Sequence, residues 1–124
     1  MSERTFNPER TYNPVAKPVI VCLCGSTRFS DAFHEANLRE TLAGKIVLSI
    51  GCDFKSDADL QLAGELTAED KARLDELHLR KIDLADEVLI LNVGGYIGQS
   101  TLNELLYAQA HNKRTRFLEQ YDTI

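Results

Sequence analysis

The sequence predicts a small doubly wound α/β fold, a Rossmann-like or flavodoxin-like parallel sheet with helices on both faces. One observation is the run Val19–Cys24, which is apolar at every position, as in a strand that is buried on both faces. Another is the order of the predicted elements, strand-helix-strand-loop-helix-strand-helix-strand, which is typical of parallel sheets with right-handed crossovers. We expect the ligand site where strands one and three run into glycine-containing turns.

The first half of the chain supplies two strands and a helix. Val19–Cys24 is strand one, and helix one is predicted over about Phe29–Leu42, ended by Gly44. Strand two is Ile46–Ile50. The connection over residues 51–65 is long for a compact domain, which is typical of a binding loop.

The second half supplies the remaining elements. Thr67 is a plausible N-cap for helix two, with acidic residues in its first turn, and the helix continues to about Ala85. Strand three is Glu87–Val93. After the glycine turn, helix three is predicted over about Thr101–His111 and the last strand over Arg114–Leu118.

The predicted domain organisation is an irregular N-terminal arm over residues 1–17 and one α/β domain over residues 18–124. The N-terminus lacks the apolar segment of a signal peptide, and no apolar stretch approaches the length of a membrane span. The net charge is −5 with no long basic run, which argues against binding a nucleic-acid polymer. We therefore expect a cytoplasmic protein that acts on a small molecule and not at a membrane.

The three cysteines, Cys22, Cys24 and Cys52, are interpreted as reduced thiols of a cytosolic protein, with Cys22 and Cys24 buried in strand one. A metal site formed by all three is the alternative. Cys-x-Cys along a strand differs from the usual Cys-x-x-Cys knuckle, so we expect no metal and no cofactor. The three histidines, His34, His78 and His111, show no shared spacing and are interpreted as structural or surface residues.

The turn Gly25-Ser26-Thr27-Arg28 is the first candidate binding motif. A helix N-terminus with free N–H groups, hydroxyl donors and an arginine suits a phosphate group. Ordinary turn chemistry with a serine cap explains the same residues equally well. The turn matches neither the P-loop nor the dinucleotide fingerprint, so ATP and NAD have no specific support.

Glu104 is the central candidate. If Thr101 is the N-cap of helix three, Glu104 is its capping-box partner, a role that contributes about 1 kcal/mol. The alternative is a catalytic carboxylate, because the helix begins at the predicted ligand crevice. Gly95, Gly98 and Ser100 of the preceding turn are predicted to bind substrate there, as is Thr27 of the first turn.

Asp83 is the second candidate carboxylate. It lies near the C-terminus of helix two, where the helix dipole disfavours a negative charge. The alternative is an exposed acid balanced by Arg80 or Lys81. Asp83 paired with Glu104 would form the two-carboxylate set that glycosyl transfer needs.

Three features in this order and spacing resemble the nucleoside 2-deoxyribosyltransferase-like superfamily, nearest its 2-deoxynucleoside 5-monophosphate N-hydrolase branch. They are Cys24–Arg28, then Asp83 before Ala85–Val88, and the glycine turn that leads to Asn103-Glu104-Leu105 and Ala108. The likeness covers residues 19–118, so the domain at 18–124 is predicted to be of this type. Around the glutamate, family members carry Gly-x-Glu-Leu-Gly, whereas this chain has Leu102–Leu106, Leu-Asn-Glu-Leu-Leu.

The resemblance implies that Glu104 is the nucleophile that attacks the anomeric carbon and that Asp83 orients it or the sugar. Gly25, Ser26 and Arg28 would hold the sugar and the 5-phosphate. It also implies a homodimer. The segment Gly94–Thr101 with Glu104 is partly similar to the glycine turn of lysine-decarboxylase-like cytokinin phosphoribohydrolases.

Both families cleave an N-glycosidic bond of a nucleotide, so the predicted reaction class is the same. Base, sugar, the need for the 5-phosphate, and hydrolysis versus transfer stay open. The rival hypothesis is a non-catalytic nucleotide-sensing module on the same fold.

Overall fold

The described part of the chain, residues 17–50 and 67–120 of a computed structural model, folds around a four-stranded, all-parallel sheet. The strand order is β2-β1-β3-β4. The strands are β1 (Ile20–Cys24), β2 (Ile46–Leu48), β3 (Glu87–Ile90) and β4 (Arg114–Phe117). Three α-helices connect them: α1 (Ser30–Leu42), α2 (Ala68–Leu84) and α3 (Gln99–Ala110).

Strand β1 lies at the centre of the sheet, as its unbroken apolar run predicts. Cys22 pairs with Leu48 of β2 on one side and with Val88 of β3 on the other, both in parallel register. Val21 through Cys24 are completely buried. Because side chains alternate along a strand, β1 contributes to a separate core on each face of the sheet.

The helices cover both faces, so the predicted doubly wound α/β class is confirmed. Helix α1 packs on one face through a cluster that contains Val21, Leu23, Phe33, Ala36, Leu89 and Leu91. Helices α2 and α3 pack on the other face through a cluster that contains Cys22, Cys24, Ile82, Val88, Ile90, Leu105 and Ala108. Both cysteines therefore point toward α2 and α3.

Three element boundaries differ from the prediction by two or more residues. Strand β2 ends at Leu48 and not at Ile50. Strand β3 ends at Ile90 because a 3₁₀ turn follows at Val93–Gly95, where Gly94 and Gly95 have φ values of +63° and +83°. Glycine tolerates this left-handed conformation, which ends strand geometry. Helix α3 begins at Gln99, with Gly98 as its N-cap, two residues before the predicted start.

An ion-pair network with two buried carboxylates joins α1 to β3 and β4. Arg116 donates to Glu40 and Glu87 at 2.9 Å each, and the Lys45 ammonium lies 3.1 Å and 3.0 Å from the same two carboxylates. The Glu40 side chain is only 4% exposed. Arg116 holds the pKa of Glu40 at about 2, against the opposing effect of burial, with Lys45 adding to the depression.

Several predicted features lie outside the described residues. They are the N-terminal arm up to residue 16, the connection over residues 51–65 and Cys52. Among the described residues, none of the helices combines the length and apolar character needed to cross a membrane.

Candidate functional site

A cleft of about 730 Å³ lies at the carboxyl edge of the sheet. Strand β1 is followed by a helix on one face and β3 by a helix on the other, so the strand order reverses between them. Open α/β sheets bind ligands at such a switch point. The cleft is lined by the Gly25–Thr27 turn after β1, by Ile50 after β2, by one side of α2 and by the first turns of α3. This cleft lies at the edge of the sheet where the sequence predicts a ligand site.

The Gly25–Thr27 turn is fixed by close packing and local hydrogen bonds. A Cβ at Gly25 would lie 3.1 Å from the Leu91 Cβ and 3.3 Å from the Leu91 carbonyl oxygen, so only glycine fits without a shift. The Phe29 N–H donates to the Ser26 carbonyl oxygen at 3.0 Å, and the Arg28 N–H donates to the Ser26 Oγ at 3.3 Å. These bonds hold Ser26 and Thr27 at the wall of the cleft.

Glu104 lines the cleft, and it is not a helix cap. The N-cap of α3 is Gly98, which makes no side-chain capping bond, and Glu104 lies six residues beyond it. A capping-box glutamate occupies the third position after the N-cap. The capping interpretation of Glu104 is therefore wrong, because the helix starts earlier than Thr101. The Glu104 side chain is 15% exposed.

Glu104 contacts a cluster of soft side chains formed by Cys22, Cys24 and His78. The His78 Nε2 atom lies 3.6 Å from the Cys22 Sγ, 3.5 Å from the Cys24 Sγ and 3.9 Å from the Glu104 Oε1. Cys22 and Cys24 are free thiols with no exposed surface, and His78 is 7% exposed. The predicted burial of Cys22 and Cys24 is confirmed, and neither forms a disulfide. His78, interpreted from the sequence as a structural or surface residue, is buried.

The cluster perturbs the protonation of its members. The hydrogen bond from Cys24 and the nearby His78 lower the pKa of Cys22 to about 6, although burial opposes this. The same Cys22 contact, together with burial, raises the pKa of Cys24. Burial alone would lower the pKa of His78, but the hydrogen bond and charge of Cys22 raise it overall. Burial raises the pKa of Glu104, and the charge of Cys22 adds to this.

The rest of the described cleft carries two cations and a second carboxylate. Lys71 and Lys81 both line it; Lys81 donates to the Ser49 carbonyl oxygen, and Lys71 lies 3.9 Å from Asp75. Asp75 also lines the cleft, and its charge contributes to the raised pKa of Glu104. The start of α3 has no acidic residue in its first turn, so the positive end of its dipole faces the cleft uncompensated by a local acid.

The structure brings most of the predicted binding residues together. Gly98 and Ser100 line the cleft beside the Gly25–Thr27 turn. Arg28 and Gly95 do not line the cleft. The Arg28 guanidinium lies 4.7 Å from the ring centre of Tyr96, which does line it. Gly95 is part of the 3₁₀ turn.

Asp83 is placed elsewhere. Its carboxylate accepts a hydrogen bond from the Tyr107 hydroxyl at 2.6 Å and lies 3.2 Å from the Arg80 guanidinium. It is not among the residues that line the described cleft. The structure therefore does not bring Asp83 into the cleft with Glu104, and its catalytic role stays an untested prediction.

Sequence reasoning missed His78 and Asp75. Both lie on the side of α2 that faces the cleft, three residues apart, which places them on neighbouring turns of one helix face. That spacing could have identified Asp75 only after His78 was identified. His78 had no local signal, because its partners Cys22 and Cys24 are more than 50 residues away in sequence.

Comparison with known proteins leaves the family open, since no protein-family model and no curated protein matches the chain.

Proposed function

We propose that the protein is an N-glycosidase or glycosyltransferase acting on the base–sugar bond of a nucleoside or deoxynucleoside 5-monophosphate. The observation that carries the proposal is the position of Glu104, a mostly buried carboxylate in the switch-point cleft that has no capping role. The resemblance to the nucleoside 2-deoxyribosyltransferase-like superfamily supports the reaction class. We also propose, on that resemblance alone, that the protein works as a cytoplasmic homodimer.

In the proposed reaction, a Glu104 carboxylate oxygen forms a bond to the anomeric carbon of the sugar. The bond from that carbon to the base nitrogen breaks, and the base leaves with the electron pair and takes up a proton. Water then attacks the glycosyl-enzyme ester and releases the sugar phosphate, or a second base attacks and forms a new nucleotide. Asp75 is the second carboxylate in the described cleft. We assign to Asp75 the proton transfers on the solvent-exposed side of the cleft.

The substrate phosphate has partners near the Gly25–Thr27 turn. Ser26 and Thr27 supply hydroxyl and backbone donors at the cleft wall, and Lys71 supplies a charge. The first N–H groups of α3, which have no side-chain cap, add a further site for an anion. The Tyr96 ring, on which Arg28 packs, provides a flat surface for the base.

The reaction class is tested by incubating the full chain with a panel of ribo- and deoxynucleoside 5-monophosphates and measuring free base by chromatography. Release of base from at least one member is expected. Matching nucleosides without phosphate form a second arm, in which slower release would show that the phosphate contributes to binding.

The rival hypothesis, a nucleotide-sensing module, predicts a different result in the same assay. A sensor would bind a nucleoside monophosphate tightly, as measured by calorimetry, and release no base from any member of the panel. That outcome would overturn the enzymatic proposal and leave nucleotide binding in the cleft as the function.

A further inference from the structure

We propose that Cys22, Cys24 and His78 form a binding site for a thiophilic divalent metal ion such as Zn²⁺, with Glu104 on the side that faces the cleft. The proposal goes beyond the glycosidase function, which requires no metal. Cys22 and Cys24 alternate correctly along β1 to point at the same helix, and His78 of α2 meets them there.

The distances between the ligand atoms agree with a tetrahedral site. Zn–S bonds of about 2.3 Å and Zn–N bonds of about 2.0–2.1 Å at tetrahedral angles place sulfur and nitrogen about 3.6 Å apart. The two observed Sγ–Nε2 distances are 3.6 Å and 3.5 Å. The three ligand atoms all lie within 4.8 Å of one another. This spacing is compatible with one metal ion bound to all three atoms.

Glu104 lies where a fourth ligand would be needed. A nitrogen and an oxygen bound to one tetrahedral Zn²⁺ are about 3.4 Å apart, and the His78 Nε2–Glu104 Oε1 distance is 3.9 Å. A small side-chain rotation of Glu104 would close that difference. Glu104 and His78 both line the cleft, so the ion has a path from solvent to the buried thiols.

The chemistry of the site favours a soft cation over a hard one. Two sulfurs and an imidazole suit Zn²⁺ or Co²⁺, whereas Mg²⁺ and Ca²⁺ require oxygen ligands. Two thiolates would balance a divalent charge, which lowers the cost of burying it.

The test uses the full chain, kept reduced with a phosphine, and titrates it with Co²⁺ as a spectroscopic probe. We expect one ion per chain, a near-ultraviolet thiolate-to-cobalt charge-transfer band and the intense visible bands of tetrahedral Co²⁺. Zn²⁺ should displace the cobalt and abolish both signals. Absence of any charge-transfer band would overturn the proposal.

Variants identify the ligands. His78→Ala and Cys24→Ser should each weaken Co²⁺ binding by more than about 100-fold. Loss of a residue that only supports a ligand weakens metal binding by at most about 100-fold, so a larger effect identifies a ligand. His34→Ala, at an exposed position on α1, and Cys52→Ser are the matched controls and should bind as the wild type does. Loss of binding in Cys52→Ser with retention in His78→Ala would assign the metal to other residues and contradict the proposal.

A variant-free measurement covers the case in which a substitution prevents folding. X-ray absorption of the Zn²⁺-loaded wild type should show two sulfurs at about 2.3 Å and two lighter ligands at about 2.0–2.2 Å. A first shell of nitrogen and oxygen alone would overturn the site. Neither measurement involves a nucleotide, so metal binding and base release can each fail alone. A Glu104 carboxylate bound to the metal ion cannot attack the sugar, so the metal-loaded protein is expected to release no base.

Discussion

The proposed function depends on Glu104, and the interpretation of this residue depends on where helix α3 begins. From sequence, its distance from Thr101 matches a capping box, and a cleft carboxylate was only the alternative. The structure caps α3 with Gly98, a residue without a side chain, so no capping signature existed to be found in the sequence. Glu104 is left in the cleft, 3.9 Å from His78, where capping does not explain it.

Substitutions of Asp75 and Asp83 are predicted to affect the rate of base release differently. Asp75→Asn should lower the rate of base release by about 100-fold, because Asp75 lines the cleft and is assigned the proton transfers. Asp83→Asn should stay close to wild type, because its partners are Tyr107 and Arg80 outside the cleft. The measurement is kcat/KM for both variants. An equal loss in Asp83→Asn would instead support the catalytic role that the family resemblance implies.

Gly25 carries a prediction about stability. Gly25→Ala should reduce the free energy of unfolding by about 1–3 kcal/mol, because the new Cβ would press on the backbone and Cβ of Leu91. Gly98→Ala is the matched control, since its Cβ meets only the far end of the Tyr96 side chain, which can move. Urea denaturation compares the two. Equal stability of Gly25→Ala and the wild type would show that the turn relaxes freely.

At the scale of elements, α2 shows what a sequence predicts well. Thr67 as N-cap is confirmed, with a complete capping box: the Asp70 N–H donates to the Thr67 Oγ1, and the Thr67 N–H donates to the Asp70 carboxylate, both at 3.0 Å. The signal is local, with both partners within one turn. The burial of His78 on the same helix depends on β1, which no local pattern encodes.

The two helix starts give a paired prediction. Thr67→Ala should lower the free energy of unfolding by about 1 kcal/mol, because an N–H at the start of α2 loses its acceptor. Ser100→Ala should change it by less than about 0.5 kcal/mol, because Ser100 is exposed and inside α3 instead of capping it. Thermal or urea unfolding measures both. A larger loss from Ser100→Ala would restore Ser100 as a cap.

For the whole molecule, the sheet could be predicted because a strand that is buried on both faces, as β1 is, has an apolar residue at every position. Glycine turns also indicate the carboxyl ends of β1 and β3. What could not be predicted are contacts between distant segments. The Glu40–Arg116 pair spans 76 residues, and Cys24 meets His78 across 54. The site's location followed from topology, whereas its electrostatics required the structure.

The Glu40–Arg116 pair also predicts how stability depends on pH. The pKa of Glu40 is depressed from 4.5 to about 2 in the folded state, so its contribution is present above pH 4.5 and is lost as the pH falls toward 2. Glu40→Gln should cost about 2 kcal/mol at pH 7 and progressively less below pH 4.5. Glu35→Gln, exposed on the same helix, is the control.

Urea unfolding at several pH values between 7 and 2.5 checks this. A constant difference between wild type and Glu40→Gln across that range would show that the ion pair does not control acid stability.

The central claim, that Glu104 is the nucleophile, is tested most directly by Glu104→Gln on whichever nucleotide the wild type cleaves. The substitution keeps the side chain's size and removes its negative charge. We predict that base release falls below detection while circular dichroism shows a folded protein, and that Glu35→Gln retains wild-type turnover. A folded Glu104→Gln variant that releases base at the wild-type rate would contradict the account.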